Sequence, residues 1–236
     1  EKEDLKNIVL IWYPKLDLLV DRLIETFVRV NSTCMHQIAG SHSGNSASVG
    51  LLNRFSLRDL LKWCKRLVGL GFSYDGGCLS EYQCYLVYKE AVDVFAAFST
   101  SPKHRLSIMK EIARLWAVPV SAADTLYPRD KPIIKDFVSD LRIGRVSLQY
   151  TTKTLQEPMR PFVEINSSLH VLERIACSVK YNEAVLLVGE TGTGKTTLVQ
   201  NLASRLGQKL TVLNLSQQSD VADIIGGFKP INEQFV

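Results

Sequence analysis

The residues best suited to chemistry form one octapeptide, Gly-Glu-Thr-Gly-Thr-Gly-Lys-Thr, at positions 189–196. It matches the phosphate-binding pattern G-x-x-x-x-G-K-[ST] at every fixed position. Gly189 and Gly194 let backbone N–H groups approach phosphate oxygens that a side chain would keep away. Lys195 is expected to place a cation on the β- and γ-phosphates, and Thr196 to offer its hydroxyl to Mg²⁺. The loop should run into a helix whose positive end faces the anion.

The motif therefore predicts ATP and Mg²⁺ as ligands. Lys195 and Thr196 are the candidate catalytic residues, and Thr196 is also the candidate metal ligand. The predicted nucleotide-binding residues of the loop are Gly189, Glu190, Thr191, Gly192, Thr193, Gly194, Lys195, Thr196 and Thr197.

The elements that must position this loop are a strand before it and a helix after it. Residues 184–188 are a short apolar run, as expected for a buried parallel strand. Leu198, Leu202 and Leu206 recur at helical spacing, and Gly207 is suited to end that helix. This order favours a phosphate loop over the alternative, a Gly/Thr-rich turn in another kind of α/β protein.

The position of the motif near the end of the sequence is a second clue. Residues 210–215 are a plausible next strand, but Asn214, Ser216 and Gln217 stand at its end, where no carboxylate is found. An ATPase of this class needs an acidic pair on a later strand to hold Mg²⁺ and polarise the attacking water. The chain is therefore expected to be a piece of a longer polypeptide, cut inside a nucleotide-binding domain.

Composition sets broad limits on the class of protein. The 236 residues are 46% apolar and 22% charged, with a net charge of +4, which by itself does not predict nucleic-acid binding. No secretion signal or membrane span is predicted. Cys34, His36 and His42 lack a fourth ligand at a suitable spacing, so no zinc site is expected. The cysteines are expected to be reduced thiols: Cys34, Cys64, Cys78, Cys84 and Cys177.

Hydrophobic spacing predicts that the first half is helical. Ser56 is a candidate N-cap, and Ser101 followed by Pro102 predicts another helix start. The predicted helices span residues 16–27, 56–68, 81–99 and 102–117, and the predicted loops span 31–50 and 72–80.

The second half should mix strands and helices. Residues 119–139 are predicted to be a linker with several prolines. Residues 145–150 alternate polar and apolar, which predicts a strand of a hairpin. Ser167 is a candidate cap for a helix over 168–179, and Ser219 for a short helix within 217–230.

A cluster of basic residues on the helix near residue 58 is the second candidate site. Its arginines could sense a nucleotide γ-phosphate or contact RNA, and the alternative is a solvated basic face. The cluster comprises Arg54, Arg58, Lys62, Lys65 and Arg66.

Two segments carry a family resemblance. Residues 189–197, together with Asn-Leu-Ser-Gln-Gln-Ser-Asp-Val-Ala-Asp-Ile-Ile-Gly-Gly-Phe-Lys-Pro at 214–230, closely resemble the midasin family of AAA+ ring ATPases, relatives of dynein and the MoxR group. Residues 54–64 resemble the lid helix that closes a module of this family. The resemblance implies an α+α/β fold, with a helical AAA+ lid at 1–118, a linker at 119–139 and the N-terminal part of the next P-loop nucleotide-binding domain at 140–236.

The same resemblance implies roles and partners. Arg58 would be the sensor-2 arginine, contacting the nucleotide of the module that its own lid closes. The parent protein would hydrolyse ATP to remove assembly factors from pre-60S (large-subunit) particles in the nucleolus and nucleoplasm. Its partners would be those particles and the neighbouring AAA+ modules of the same chain. No membrane partner is implied, and direct RNA contact through the basic helix stays open. Without Walker B acids, sensor 1 and an arginine finger, the fragment alone is expected to be inactive.

Two alternatives to this function remain open. One is a MoxR-type AAA+ chaperone that acts on other clients. The other, from a different class, is a helical module that binds RNA through residues 54–66.

Overall fold

A computed structural model describes residues 2–39, 55–71, 79–97, 99, 101–120, 131–151, 162–216, 219 and 226. Side chains of residues 35–39 are outside this description. Among the described residues, no helix combines the length and apolar character that crossing a membrane requires.

The first half of the chain is a bundle of helices, as the hydrophobic spacing predicts. A 3-10 turn at Pro14–Leu19 separates the first two helices, and a π-helical turn at Val92–Ala96 extends the fourth. The helices are α1 (Lys2–Trp12), α2 (Val20–Ala39), α3 (Leu57–Gly69), α4 (Glu81–Ala91) and α5 (Pro102–Leu115).

Local capping residues explain where two of these helices begin. The backbone N–H of Ser56 donates to Asp59 Oδ2 at 2.8 Å at the start of α3. Ser101 Oγ accepts from the backbone N–H of His104 at 3.4 Å, and Pro102 occupies the first turn of α5. Both predicted N-caps are confirmed.

One prediction for the first half is wrong and another is correct only in part. Residues 31–39, predicted as part of a loop, continue α2. Ser32 and Thr33 donate to the carbonyls of Val28 and Arg29 one turn back, so short polar side chains fit the exposed face of the helix. The predicted helix over 81–99 changes to the π-helical turn after Ala91. Residues 40–54 and 72–78 lie outside the described part.

Aromatic rings packed edge to face form the core of this bundle. Trp63 of α3 meets Phe95 of the π-helical turn and Trp116 after α5, with ring centroids 5.4 and 6.0 Å away. The indole N–H of Trp116 donates to Thr26 Oγ1 at 3.1 Å, which satisfies a buried donor. Helices α2, α3 and α5 are thereby fixed around one centre.

The second half combines a small sheet with two helices. Strands β1 (Ile134–Asp136), β2 (Asp140–Ile143) and β3 (Val146–Gln149) are antiparallel in the order β1-β2-β3. Helices α6 (Asn166–Lys180) and α7 (Lys195–Leu206) share their core with the inner face of this sheet. The predicted hairpin strand is confirmed, whereas β1 lies within the stretch predicted as linker.

The predicted cap of α6 is wrong by two residues. Ile165 occupies the cap position, and its carbonyl accepts from the N–H of Leu169 at 3.0 Å. Gly207 ends α7 in the left-handed conformation, at φ 64°, as predicted.

The predicted strands at 184–188 and 210–215 are absent from the described structure. Neither segment pairs with a neighbour, and Leu186 and Val188 are 86% and 84% exposed. A strand needs a neighbouring strand as its hydrogen-bonded partner. An apolar run indicates a tendency to be buried, but it does not show that such a neighbour exists. The predicted short helix after Ser219 lies almost wholly outside the described residues.

Candidate functional site

The loop at 189–196 is folded around the ammonium group of its own lysine. Lys195 Nζ donates to the carbonyls of Gly189 and Glu190 at 2.8 and 2.5 Å, and lies 3.3 Å from Thr193 Oγ1. Thr193 Oγ1 also donates to the carbonyl of Glu190, at 2.9 Å. The loop is therefore a closed ring around a cation, and α7 begins at that same lysine.

Two glycines in the loop have backbones that other residues rarely adopt. Gly192 and Gly194 have φ angles of +85° and +80°. No heavy atom of the described protein lies within 4 Å of a Cβ built on either one. These two positions therefore require glycine because of their backbone angles. The space in front of the loop is open at both.

Gly189 differs, because its backbone does not require glycine. A Cβ there would lie 3.7 Å from Thr193 Oγ1 and 4.0 Å from Lys195 Cδ, which are ordinary contacts. Protein packing alone does not explain this glycine, whereas a phosphate oxygen approaching the loop would.

The arrangement fits the phosphates of a nucleotide. The first turn of α7 presents backbone N–H groups and the positive end of the helix dipole, next to the Lys195 cation. Thr196 follows directly and its side chain is exposed, so its hydroxyl is free to coordinate a metal bound to those phosphates. The remaining predicted residues, Glu190, Thr191, Thr193 and Thr197, lie in or beside the same loop.

Arg58 is placed apart from this loop. It lies in the first turn of α3, on the helical bundle, and it is exposed. Eight residues separate it from Arg66, about 12 Å along the helix axis at 1.5 Å per residue. It therefore lies at the opposite end of α3 from Arg66, which contacts the second half of the chain.

A wholly solvated basic face, the alternative for this cluster, does not describe three of its members, because they contact the second half. Arg66 is buried and forms an ion pair with Glu183, and Lys62 Nζ lies 3.2 Å from Glu183 Oε2. Lys65 Nζ donates to the carbonyl of Tyr181 at 2.7 Å. These bonds join the helical domain to the segment just before the phosphate loop. Arg54 lies outside the described residues.

Arg145 is the second centre of this junction, and no sequence pattern pointed to it. Its Nε lies 2.7 Å from Glu90 Oε1 and its Nη1 lies 2.9 Å from Glu173 Oε2, while Asp93 accepts from Nη2. Glu90 also lies 3.3 Å from Arg66 Nη1, so both arginines share one carboxylate. Asp93 sits on the π-helical turn, a departure from α-helical geometry that often marks a functional position.

The buried charges at the junction are stabilised by one another. Burial opposes ionisation of Asp93, but Arg145 and Arg174 outweigh it and hold the Asp93 pKa below its ordinary value. Burial likewise opposes ionisation of Glu183, but the hydrogen bond from Arg66 outweighs it, so the pKa of Glu183 is also below its ordinary value. Burial raises the pKa of the nearby Cys177 thiol to about 12, with Glu90 adding to the effect. Asp93 and Glu183 are therefore charged at neutral pH, and Cys177 is a thiol.

The described structure offers no group of three or more potential metal-ligating His, Cys, Asp or Glu side chains. Cys34, Cys64, Cys84 and Cys177 are buried and free of disulfides. Cys78, and the side chains of His36 and His42, lie outside the described residues.

Comparisons with known proteins divide the chain in the same way. Residues 4–119 match the family model of the midasin AAA lid domain, and residues 184–236 match that of the AAA domain of the dynein-related subfamily. A midasin from Dictyostelium discoideum is 33% identical over 75% of this chain. A midasin from Giardia intestinalis is 42% identical over 37% of it. The chain spans only 3% and 2% of the lengths of these two relatives.

Proposed function

The chain belongs to the midasin family of AAA+ ATPases, and we propose that its phosphate loop binds ATP with Mg²⁺ in a module that follows the lid of another. The observation that carries this proposal is the loop closed around Lys195 at the start of α7. Lys195 would hold the β- and γ-phosphates and Thr196 the metal. Bound Mg²⁺ supplies charge neutralisation between those phosphates.

The proposed activity of the parent protein is ATP hydrolysis coupled to removal of assembly factors from pre-60S particles in the nucleolus and nucleoplasm. The support is the family membership, since the two curated relatives are midasins. The neighbouring AAA+ modules of the same chain would be its other partners. A MoxR-type chaperone is the second candidate, because the dynein-related AAA match does not by itself select a client.

The structure gives less support to an RNA-binding role of the basic helix. Lys62, Lys65 and Arg66 are engaged with Glu183 and Tyr181. Arg58, in the first turn of α3, is exposed and forms none of these bonds.

Nucleotide binding is the direct test of the phosphate loop. We expect Lys195→Ala to weaken binding of a fluorescent ATP analogue about tenfold to a hundredfold, because a charge-assisted hydrogen bond is worth roughly 1.5–3 kcal/mol. Lys209→Ala is the matched control, since Lys209 is exposed beyond the same helix. Equal affinities for the wild type and Lys195→Ala would reject the phosphate-loop assignment.

The client is tested in the full-length parent protein. We expect wild-type protein to release assembly factors from purified pre-60S particles when ATP is added, and Lys195→Ala to release fewer. Factor release measured by quantitative mass spectrometry decides between the candidates. Normal release by the variant would show that this module does not drive the reaction, and no release by the wild type would favour the MoxR-type alternative.

A further inference from the structure

A cleft separates the exposed side of α4 from the outer face of β1 and β2. Its volume is about 300 Å³, and it lies away from the phosphate loop. The residues that line it include two tyrosines, an exposed isoleucine and three basic side chains: Tyr82, Tyr85, Ile133, Lys131, Lys135 and Arg142. Tyr82 and Ile133 are 63% and 61% exposed, so the rim offers apolar surface beside the positive charge.

Two of the basic residues oppose each other across the sheet. Lys135 and Arg142 are directly paired in the register of β1 and β2, on the outer face. Like charges in that arrangement destabilise a sheet. Within the described residues, no carboxylate forms an ion pair with Lys131, Lys135 or Arg142. Arg142 Nε donates only to the carbonyl of Gly144, at 3.2 Å. The sheet therefore holds a local positive charge at some cost in stability.

The nearby carboxylates are already engaged elsewhere. Glu173, which lines the cleft, accepts from Arg145 and lies 3.6 Å from Lys89 Nζ. Asp136 accepts from the Tyr150 hydroxyl at 3.1 Å, and Asp140 accepts from Ser139 Oγ at 3.1 Å. Among the described residues, none of these carboxylates forms an ion pair with Lys131, Lys135 or Arg142, so an anion entering the cleft would meet three basic side chains that have no paired carboxylate.

The cleft adjoins an open edge of the sheet. β1 is the edge strand, and no described strand pairs with its outer side. Phe137 and Val138, just beyond β1, are 49% and 84% exposed. An edge of this kind presents unpaired backbone N–H and C=O groups, which an extended chain can bond as an added strand.

We propose that the cleft and the adjoining edge of β1 bind an acidic, extended segment of polypeptide. Its carboxylates meet Lys131, Lys135 and Arg142, and its apolar side chains pack on Tyr82 and Ile133. Charge complementarity requires an acidic partner. A polypeptide fits better than RNA because it can pair with the strand edge through its own backbone and because apolar side chains line much of the cleft.

The test uses a fluorescein-labelled twelve-residue peptide of alternating Glu and Val, titrated against the chain by fluorescence anisotropy. We expect the double variant Lys135→Gln/Arg142→Gln to bind it about threefold to thirtyfold more weakly, since exposed ion pairs are each worth a few tenths to one kcal/mol. The matched control, Lys15→Gln/Lys209→Gln, removes two charges from exposed positions outside the cleft and should bind normally.

Stability and specificity complete the test. Because the double cleft variant relieves the repulsion across the sheet, its thermal midpoint should equal or exceed that of the wild type. A peptide with Lys in place of Glu should not bind, and Lys195→Ala should leave peptide binding unchanged. No binding of the acidic peptide to the wild type, equal loss in both double variants, or tighter binding of a twelve-nucleotide uridine RNA would each overturn the proposal.

Discussion

Single glycines determine how closely the two halves of the chain approach each other. A Cβ on Gly69, the last residue of α3, would lie 2.3 Å from Tyr181 Oη. That hydroxyl donates to the carbonyl of Arg66 at 3.1 Å. On the other side of the junction, a Cβ on Gly144 would lie 2.2 Å from Glu173 Oε1. Gly69 requires glycine because the second half of the chain occupies the space of a side chain. Gly144 requires it because Glu173 of α6, in the same half, fills that space and because its φ angle is +54°.

Gly69→Ala should test the contact with Tyr181, because its effect on the free energy of unfolding should change sign when Tyr181 is also replaced. In the wild-type background the added methyl displaces Tyr181, and we expect a loss of about 1–3 kcal/mol in the free energy of unfolding. In a Tyr181→Ala background the same substitution should stabilise by up to about 1 kcal/mol, because alanine is the better helix former. Urea denaturation measures both. Additive effects of the two substitutions would contradict the contact.

At the scale of the element, α3 and α4 act as the side of the helical domain that holds the nucleotide domain. Their basic and acidic residues pair with α6, with Arg145 just before β3 and with the segment before the phosphate loop. Buried ion pairs of this kind add little net stability, but removing one partner leaves an uncompensated charge and costs about 3–5 kcal/mol. The network therefore specifies one relative placement of the elements.

Acid should weaken this junction. Asp93 and Glu183 have pKa values lowered from their ordinary 3.8 and 4.5. A carboxyl group with a lowered pKa contributes stability above the ordinary value, and that contribution is lost as the pH falls through the value in the folded protein. We expect the free energy of unfolding to fall as the pH drops below about 4.5, and Glu183→Gln to show a smaller fall.

Denaturant titrations at several pH values would measure that difference. Glu164→Gln is the control, because Glu164 is an exposed carboxylate just before α6. A pH dependence in Glu183→Gln identical to that of the wild type would show that the junction carboxylates do not carry the effect.

At the scale of the whole molecule, the lid is fixed to the nucleotide domain that follows it. Arg58 is exposed in the first turn of α3, about 12 Å along the helix axis from Arg66 at the junction. In the parent protein we expect Arg58→Ala to impair nucleotide binding by the preceding module and to spare the site at Lys195. Occupancy at each site, wild type against variant, is the measurement. Loss at Lys195 alone would show that the lid serves the other module.

The chain by itself should bind nucleotide without turning it over. The apolar residues 210–215 are followed by Ser216 and Gln217, so no carboxylate pair at this point can hold the metal and the attacking water. We expect phosphate release at background level in a coupled assay with saturating ATP and Mg²⁺. Steady release that Lys195→Ala abolishes would prove this expectation wrong.

The sequence by itself determined the features that depend on neighbouring residues. Ser56, Ser101 and Gly207 mark helix ends through their own hydrogen bonds and backbone angles, and the phosphate loop follows from eight consecutive residues. Residues 145–150 alternate in a way that predicted a hairpin strand. Local chemistry suffices for each of these.

Only the tertiary structure decided the partners of charged and apolar groups. Helical spacing alone could not show that Lys62, Lys65 and Arg66 face Tyr181 and Glu183, because those partners lie more than a hundred residues away in sequence. Arg145 held a polar position in the alternating stretch 145–150, a pattern that predicts a solvent-facing side chain, yet it is the centre of the buried network. Burial of a charge depends on which distant groups neutralise it, and the fold alone brings those groups together.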